Sequence, residues 1–241
     1  MVISHKHKYL FVALPLTASI AISHELRENY DGSFIINHHA TYLDFLKIAT
    51  EDEKNYFVFS GIRNPLDQAV SSYLKYKTDH ERWYTDPEKL KQSNFLIKYR
   101  NMTRFNFIRK NDPDFAAYFL KHHKIPYDNW SRLSHQTFDF IIRFENLQDD
   151  FAKALELIGI EQKRLLPVVN KTNKKDKDFL SYYTPETIPR AKRVFGPFMK
   201  KWGYDFPPEW GDTPVPWWNE MELEIINIFR VFYWKYLRSR I

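Results

Sequence analysis

The sequence predicts a three-layer α/β fold in which a central parallel sheet is flanked by helices. Short apolar strands alternate with helical patterns along the chain. The first strand, residues 9–14, is apolar throughout, as in a parallel strand covered on both faces. The chain has 241 residues, of which 44% are hydrophobic and 17% aromatic, enough for one domain with a large core. We therefore expect a single domain over residues 1–241.

The predicted elements follow one another in the order that this fold requires. The strands share apolar runs bounded by polar or turn residues, and they cover residues 9–14, 33–36, 55–62 and 138–144. The helices share an apolar helical period or a capping signal, and they cover residues 19–30, 41–48, 65–76, 114–123, 147–158 and 219–238. A Pro-rich stretch, residues 206–218, is predicted to form an extended tether before the last helix.

Three local signals mark helix ends. Thr41 and Asp44 have the spacing of a capping box. Asn64 followed by Pro65 is typical of a helix start, with Asn at the N-cap and Pro at the first helical position. Gly159 follows an amphipathic pattern and is expected to cap its C-terminus. These signals support the predicted alternation of strands and helices.

Composition excludes several classes of site and favours anionic partners. The formal net charge is +6, which suits nucleotide phosphates, anionic saccharides, nucleic acid or a lipid surface. The chain has no Cys, so disulfides, thiolate metal sites and a Cys nucleophile are excluded. No apolar run approaches the roughly 20 residues of a spanning helix. We expect a cytoplasmic protein that binds no metal and no membrane.

The loop after the first strand has the composition of an anion site. Residues 14–19 end in the small residues Thr17, Ala18 and Ser19 and lead into a helix N-terminus. Backbone N–H groups and the positive end of the helix dipole can bind an anion there. An ordinary strand-to-helix turn with a Ser or Thr cap is the alternative.

A second candidate anion contact follows the strand at residues 55–62. Arg63 comes directly after this strand, and Ser71 lies on the helix that follows. A guanidinium fork and a hydroxyl from this segment can converge on one phosphate. A surface ion pair is the alternative role for Arg63.

Four segments, taken in order, resemble the PAPS-dependent sulfotransferases, in particular the carbohydrate group that includes the heparan sulfate uronyl 2-O-sulfotransferases. Residues 14–19 resemble the family's 5′-phosphosulfate loop, and residues 63–73 resemble its 3′-phosphate motif. Residues 39–45 are similar to the segment with the catalytic histidine, and residues 171–175 to a basic loop that closes over the nucleotide. Residues 78–135 match poorly.

The resemblance implies a P-loop-like fold, PAPS (3′-phosphoadenosine 5′-phosphosulfate) as sulfuryl donor and no metal. It implies His39 as the general base that activates an acceptor hydroxyl, a task for which imidazole is suited near neutral pH. In an extended segment His38 would point to the opposite side. The implied donor-binding residues are Leu16, Thr17, Ala18, Ser19, Ile20, Arg63, Ser71, Thr172 and Lys175.

The chain departs from the family at the loop. The family has Lys where this chain has Leu16, and its following Thr and Ser positions are Ile20 and Ala21 here. That Lys stabilises charge on the leaving phosphate, which Leu cannot do. Lys171 or Lys174 is a candidate replacement. A non-catalytic nucleotide-binding protein of the same fold is therefore the alternative function.

The acceptor is an open choice between an anionic saccharide, which the positive charge favours, and a small hydroxylated metabolite. A nucleic-acid-binding protein is the least favoured reading because no recognised motif is present and the basic residues cluster in one late segment. The last helix is amphipathic, so it is expected to pack on the core or to form a contact between copies of the chain.

Overall fold

The computed structural model describes residues 1–91, 95–129, 138–167, 178–212 and 214–237. The chain forms two compact units. Unit 1 comprises Met1–Asn64, Asp128–Lys171 and Glu224–Ile241, and unit 2 comprises Pro65–Tyr127 and Thr172–Leu223. The expectation of one domain over residues 1–241 stays a prediction.

A five-stranded sheet forms the centre of unit 1. Its strands are β1 (Val2–Ser4), β2 (Tyr9–Val12), β3 (Ser33–Phe34), β4 (Phe57–Ile62) and β5 (Phe140–Arg143). They are arranged in the order β3-β1-β2-β4-β5. The pairs β2/β4 and β4/β5 are parallel, whereas β1 is antiparallel to both β2 and β3.

The prediction of a parallel sheet was wrong at one edge, where the sheet is mixed. Residues 5–8 form a short turn that joins β1 to β2, and Lys8 in this turn has a φ of 52°. A turn this short forces the two strands to pair antiparallel, because a parallel pair needs a long crossover. The strand β1 itself was not predicted.

The described helices, in chain order, are α1 (Ser19–Asn29), α2 (Tyr42–Phe45), α3 (Pro65–Lys77), α4 (Pro87–Lys91), α5 (Phe95–Asn111), α6 (Phe115–His122), α7 (Leu147–Ile158), α8 (Ile188–Trp202) and α9 (Trp217–Phe232). Short 3₁₀ helices occur at Glu53–Asn55, His80–Arg82, Phe144–Asn146, Phe179–Tyr182 and Pro208–Trp210. One π-helical turn, Tyr233–Leu237, follows α9.

Helices cover both faces of the sheet, which confirms the layered α/β class. On one face, Phe11 and Phe59 pack with Ile22 of α1 and Phe151 of α7. On the other face the apolar residues of β1, β2 and β4 pack against α2 and its neighbours, namely Ile3, Leu10, Val12 and Val58 against Ala40, Tyr42 and Phe45. The central strand β2 is fully buried, as its continuous apolar run predicted.

Several predicted helix signals are confirmed. The Thr41 hydroxyl accepts from the Asp44 N–H at 3.3 Å, and the Asp44 carboxylate accepts from the Thr41 N–H at 3.1 Å. Gly159 caps α7 in the left-handed conformation, with a φ of 79°. The helix that the box opens ends at Phe45 instead of residue 48, and the last helix begins at Trp217 instead of residue 219. Residue 213 of the predicted tether and residue 238 of the predicted last helix lie outside the described residues.

Unit 2 has its own aromatic core, formed by α3, α5, α6 and α8. Phe119 packs on Phe115, Tyr183 and Phe195, with ring centroids 5.5–5.7 Å apart. The buried Tyr183 hydroxyl donates to the carbonyl of Leu66 at 3.0 Å. The clustered rings and the satisfied hydroxyl give this unit a core separate from the sheet of unit 1.

Candidate active site at the carboxyl ends of the parallel strands

The loop between β2 and α1, residues 13–18, contains two strained residues. Leu16 and Ala18 have φ angles of 66° and 58°, in the left-handed region that non-Gly residues rarely adopt. Thr17 lies between them, and left-handed residues that alternate with others occur in backbone segments whose N–H groups bind anions. Ala18 is the N-cap of α1, whose dipole adds partial positive charge. The β2–α1 loop is therefore a candidate anion cradle.

Thr17 and Gly61 hold the β2–α1 loop against β4. The Thr17 side chain is fully buried, and its hydroxyl donates to the Leu14 carbonyl at 2.9 Å. A Cβ at Gly61 would lie 3.0–3.1 Å from the Thr17 Oγ1, Cβ and carbonyl oxygen. Only glycine allows the strand and the loop to approach this closely. The close packing keeps the loop backbone in its strained conformation.

Arg63 brings a buried cation to the loop. Its guanidinium Nη1 donates to the Leu16 carbonyl at 3.4 Å, and its central carbon lies 4.0 Å from the centre of the Phe144 ring. The residue is 7% exposed, so the charge is largely shielded from solvent. Stacking on an aromatic ring is a favourable arrangement for a guanidinium. The carboxyl end of β4 thus directs a positive charge toward the β2–α1 loop.

His39 lies against the start of the same loop. Its Nδ1 is 2.8 Å from the carbonyl oxygen of Ala13. A carbonyl only accepts hydrogen bonds, so Nδ1 carries the proton and Nε2 keeps its lone pair in the neutral ring. Desolvation by the surrounding protein lowers the pKa of His39 below its usual value, although the hydrogen bond to Ala13 acts in the opposite direction. His39 is therefore neutral at pH 7, with a basic nitrogen available.

His38 differs from its neighbour. Burial, and secondarily the nearby His39, lowers the pKa of His38 to about 4. Residues 38 and 39 lie in a turn and their ring centroids are 4.4 Å apart, so the expectation that the two side chains point to opposite sides was wrong. Of the two rings, His39 is the one bonded to the loop.

Asn129 was missed by the sequence reasoning. It is buried, and its amide Nδ2 donates to the Pro15 carbonyl at 3.4 Å. Its neighbour Asp128 lies 3.5 Å from Nη1 of Arg230, which also donates to Asn227 at 3.0 Å. This polar chain supports the loop from the C-terminal part of the protein. Its members are far apart in sequence and match no motif, so no sequence signal identified them.

The structure brings most of the predicted site residues together. The others lie in unit 2 or outside the described residues. The predicted residues found in unit 1 around the β2–α1 loop are Leu16, Thr17, Ala18, Ser19, Ile20, His39 and Arg63. Ser71 is fully buried in α3, which belongs to unit 2. Thr172 and Lys175, together with Lys171 and Lys174, lie outside the described residues. The individual roles of all these residues stay predictions.

Within the described ranges, no three acidic or histidine side chains lie close enough to hold a metal ion. None of the helices in the described part of the chain is both long and apolar enough to cross a membrane.

Comparison with known protein families assigns most of the chain to one family. A family model described as the sulfotransferase family matches residues 1–196. The match includes the β2–α1 loop, His39, Arg63 and Ser71, and it ends within α8. No curated protein matches the chain, and no solved structure does so either.

Proposed function

Because the chain belongs to the sulfotransferase family, we propose that it moves a sulfuryl group from PAPS to an acceptor hydroxyl. PAPS supplies an activated sulfate, whose S–O bond to phosphate breaks as the S–O bond to the acceptor forms. The chain itself must then hold the donor's anionic groups, remove the proton of the acceptor and stabilise the charge that develops on the leaving phosphate.

The β2–α1 loop is the proposed site of the 5′-phosphosulfate. Its left-handed residues Leu16 and Ala18 and the N-terminus of α1 offer backbone donors. Such donors remain when a side chain changes, so the replacement of the family's Lys by Leu16 does not remove them. The closely packed Thr17 holds the cradle in shape before the donor arrives, which lowers the entropic cost of binding.

His39 is the proposed general base. The hydrogen bond from Nδ1 to the Ala13 carbonyl is the observation that carries this assignment, because it leaves Nε2 unprotonated beside the loop. The acceptor proton would pass to Nε2 as the hydroxyl oxygen attacks sulfur. The lowered pKa of His39 keeps the ring neutral and ready to accept this proton at pH 7.

Arg63 is the proposed cation of the donor site. The sequence resemblance assigns it to the 3′-phosphate, whereas its 3.4 Å contact with the Leu16 carbonyl favours a role at the 5′ end. At the 5′ end, Arg63 would supply the positive charge that Leu16 cannot supply. The two roles predict different ligand selectivity.

Calorimetric titration with adenosine 3′,5′-bisphosphate and adenosine 5′-monophosphate separates these roles. Arg63→Ala should weaken bisphosphate binding by roughly 10- to 150-fold, the equivalent of about 1.5–3 kcal/mol. If Arg63 serves the 5′ end, the monophosphate loses as much affinity; if it serves the 3′-phosphate, the monophosphate is unaffected. Arg27→Ala is the matched control, because Arg27 also stacks on a ring, Phe34, at 4.1 Å. Absence of bisphosphate binding in the parent protein would refute the donor site.

The acceptor is proposed to be an anionic saccharide or a small hydroxylated metabolite. A panel of both classes with labelled PAPS identifies which one is sulfated. Bisphosphate binding without transfer to any acceptor would favour the non-catalytic alternative.

A further inference from the structure

The end of the last helix and the turn after it contact two parts of the candidate active site. These residues, 224–237, belong to unit 1, and we call them the C-terminal segment. Arg230 and Trp234 are four positions apart, so their side chains lie on the same face of the segment. The segment lies beyond residues 1–196, so the family match does not account for its contacts.

Trp234 contacts the capping box that follows His39 in the chain. Its indole N–H donates to Oδ2 of Asp44 at 3.2 Å. The same oxygen accepts from the N–H of Thr41 at 3.1 Å and from its hydroxyl at 2.9 Å. Thr41 is buried and lies two residues after His39. One carboxylate oxygen therefore joins the C-terminal segment to the part of the chain that contains His39.

The orientation of the His39 ring depends on this part of the chain. The ring is held by the hydrogen bond from Nδ1 to the Ala13 carbonyl, with 2.8 Å between the two atoms. Its backbone is followed directly by the buried residues Ala40 and Thr41. A shift of the capping box would move the His39 backbone and lengthen this bond, and hydrogen bonds weaken as they lengthen.

Arg230 contacts a residue beside the one that supports the β2–α1 loop. Its Nη1 lies 3.5 Å from Oδ2 of Asp128 and donates to Oδ1 of Asn227 at 3.0 Å. The Asp128 side chain is 2% exposed, so a nearby cation is important for its charge. The next residue, Asn129, donates to the Pro15 carbonyl of the loop at 3.4 Å. The ion pair and the contact with the loop are therefore adjacent in the chain.

We propose that the C-terminal segment positions both parts of the candidate active site. Trp234 positions the His39 ring through the capping box, and Arg230 positions the β2–α1 loop through Asp128 and Asn129. Both act as positioning residues, since each acts on the site through other residues. The inference rests on the proposed roles of His39 and the loop, but the two positions can be measured without turnover.

Nitrogen NMR of the histidine rings tests the Trp234 contact. The signals of His39 are those that disappear in His39→Asn, and in the parent they should report a proton on Nδ1. Trp234→Phe keeps a ring but removes the N–H donor, so part of the His39 population should change to the tautomer protonated at Nε2. In turnover, kcat should fall by about 2- to 10-fold, as expected for one hydrogen bond, with unchanged affinity for the bisphosphate. Trp217→Phe is the matched control, because that indole is 69% exposed at the start of the same helix.

Backbone chemical shifts of Leu16 and Ala18 test the Arg230 contact, because they report the left-handed conformation of these residues. In Arg230→Met the shifts should move toward those of an unstrained loop, and the dissociation constant of the bisphosphate should rise about 10-fold. Arg230→Lys keeps the charge and should restore both. Arg193→Met is the matched control, since Arg193 forms an exposed pair with Glu222 at 3.3 Å.

A double variant separates positioning from unfolding. Arg230→Met alone leaves the buried Asp128 carboxylate without this cation, which can unfold the protein. Adding Asp128→Asn removes that charge, so the double variant should stay folded and still show the altered shifts of the β2–α1 loop.

The inference is overturned if Trp234→Phe keeps the ring signals of the parent, or if the double variant keeps the loop shifts of the parent. Loss of thermal stability without either change would likewise assign these residues a purely structural role. A parent whose His39 ring is protonated at Nε2 would overturn both the positioning and the proposed role of His39. A parent with the expected signals but no turnover contradicts sulfuryl transfer alone, and the ring and loop signals of the variants still decide the positioning.

Discussion

Replacing His39 by Asn separates the basic nitrogen from the hydrogen bond that orients the ring. The Asn amide N–H can take the place of Nδ1–H and donate to the Ala13 carbonyl, which lies 2.8 Å from Nδ1 in the parent. Asn has no basic atom in the place of Nε2. His39→Asn should therefore keep the β2–α1 loop in place and remove only the proton acceptor.

The expected loss follows from these contacts. Without a general base, kcat should fall by roughly 10²–10⁴-fold. His39→Ala also loses the hydrogen bond to Ala13, worth about 0.5–1.5 kcal/mol, so its kcat should lie about 2- to 10-fold below that of His39→Asn. The affinity for adenosine 3′,5′-bisphosphate should stay within about twofold in both variants, because the base contacts the acceptor.

The pH profile of kcat supplies an independent readout. The base works only when neutral, and the pKa of His39 is lowered, so activity should persist below pH 6.5 and then fall as the ring protonates. His39→Asn should lose this acid limb. Equal kcat in the parent and in His39→Asn, or an unchanged acid limb in the variant, would refute His39 as the base.

Three further perturbations test the packing around the site and the buried charges. Gly61→Ala places a Cβ 3.0–3.1 Å from Thr17 and should weaken bisphosphate binding about 10-fold, because about 1.4 kcal/mol of loop contacts would be lost. Gly61→Val should weaken binding further. If calorimetry gives the parent and both variants the same affinity for the bisphosphate, the β2–α1 loop is not the anion cradle. Burial, and secondarily nearby positive charge, lowers the pKa of His123 to about 3. Between pH 6.5 and 3, His123 is therefore protonated in the unfolded chain but neutral in the folded one. Stability should therefore fall on acidification by up to about 1.4 kcal/mol per pH unit from this group, and His123→Phe should flatten the slope of the urea-unfolding free energy. Arg164→Ala leaves the buried Glu25 carboxylate without its guanidinium partner at 2.8–3.1 Å and should lower the unfolding free energy in the same assay. Glu25→Gln in the Arg164→Ala background should restore much of the loss if the unpaired charge is the cause.

Much of unit 1 was predictable because its signals are local. A continuous apolar run indicated the buried strand β2, and a capping box starting at Thr41 indicated the start of α2. The small residues after β2 indicated a loop that leads into α1, as the structure has it, whereas the anion binding of this loop and the roles of His39 and Arg63 stay predictions. Each of these signals depends on neighbouring residues, which sequence patterns represent well.

The features that were missed depend on contacts between distant segments. The antiparallel strand β1, which lies between β3 and β2, is only three residues long, too short for a periodic signal. The contact of Arg63 with the Leu16 carbonyl joins residues 47 positions apart, and that of Asn129 with Pro15 joins residues 114 apart. The amphipathic pattern of the last helix was visible, but which side faces inward is decided by partners such as Asp128, which only the folded chain identifies.

Incubation of the protein with labelled PAPS and the acceptor panel, with sulfated product measured by mass spectrometry, tests the proposed sulfuryl transfer most directly. One adenosine 3′,5′-bisphosphate should be released for each acceptor sulfated, and His39→Asn should form much less product while it still binds the bisphosphate. A protein that binds the bisphosphate tightly but sulfates no acceptor, and whose His39→Asn variant behaves identically, would contradict the proposed transfer.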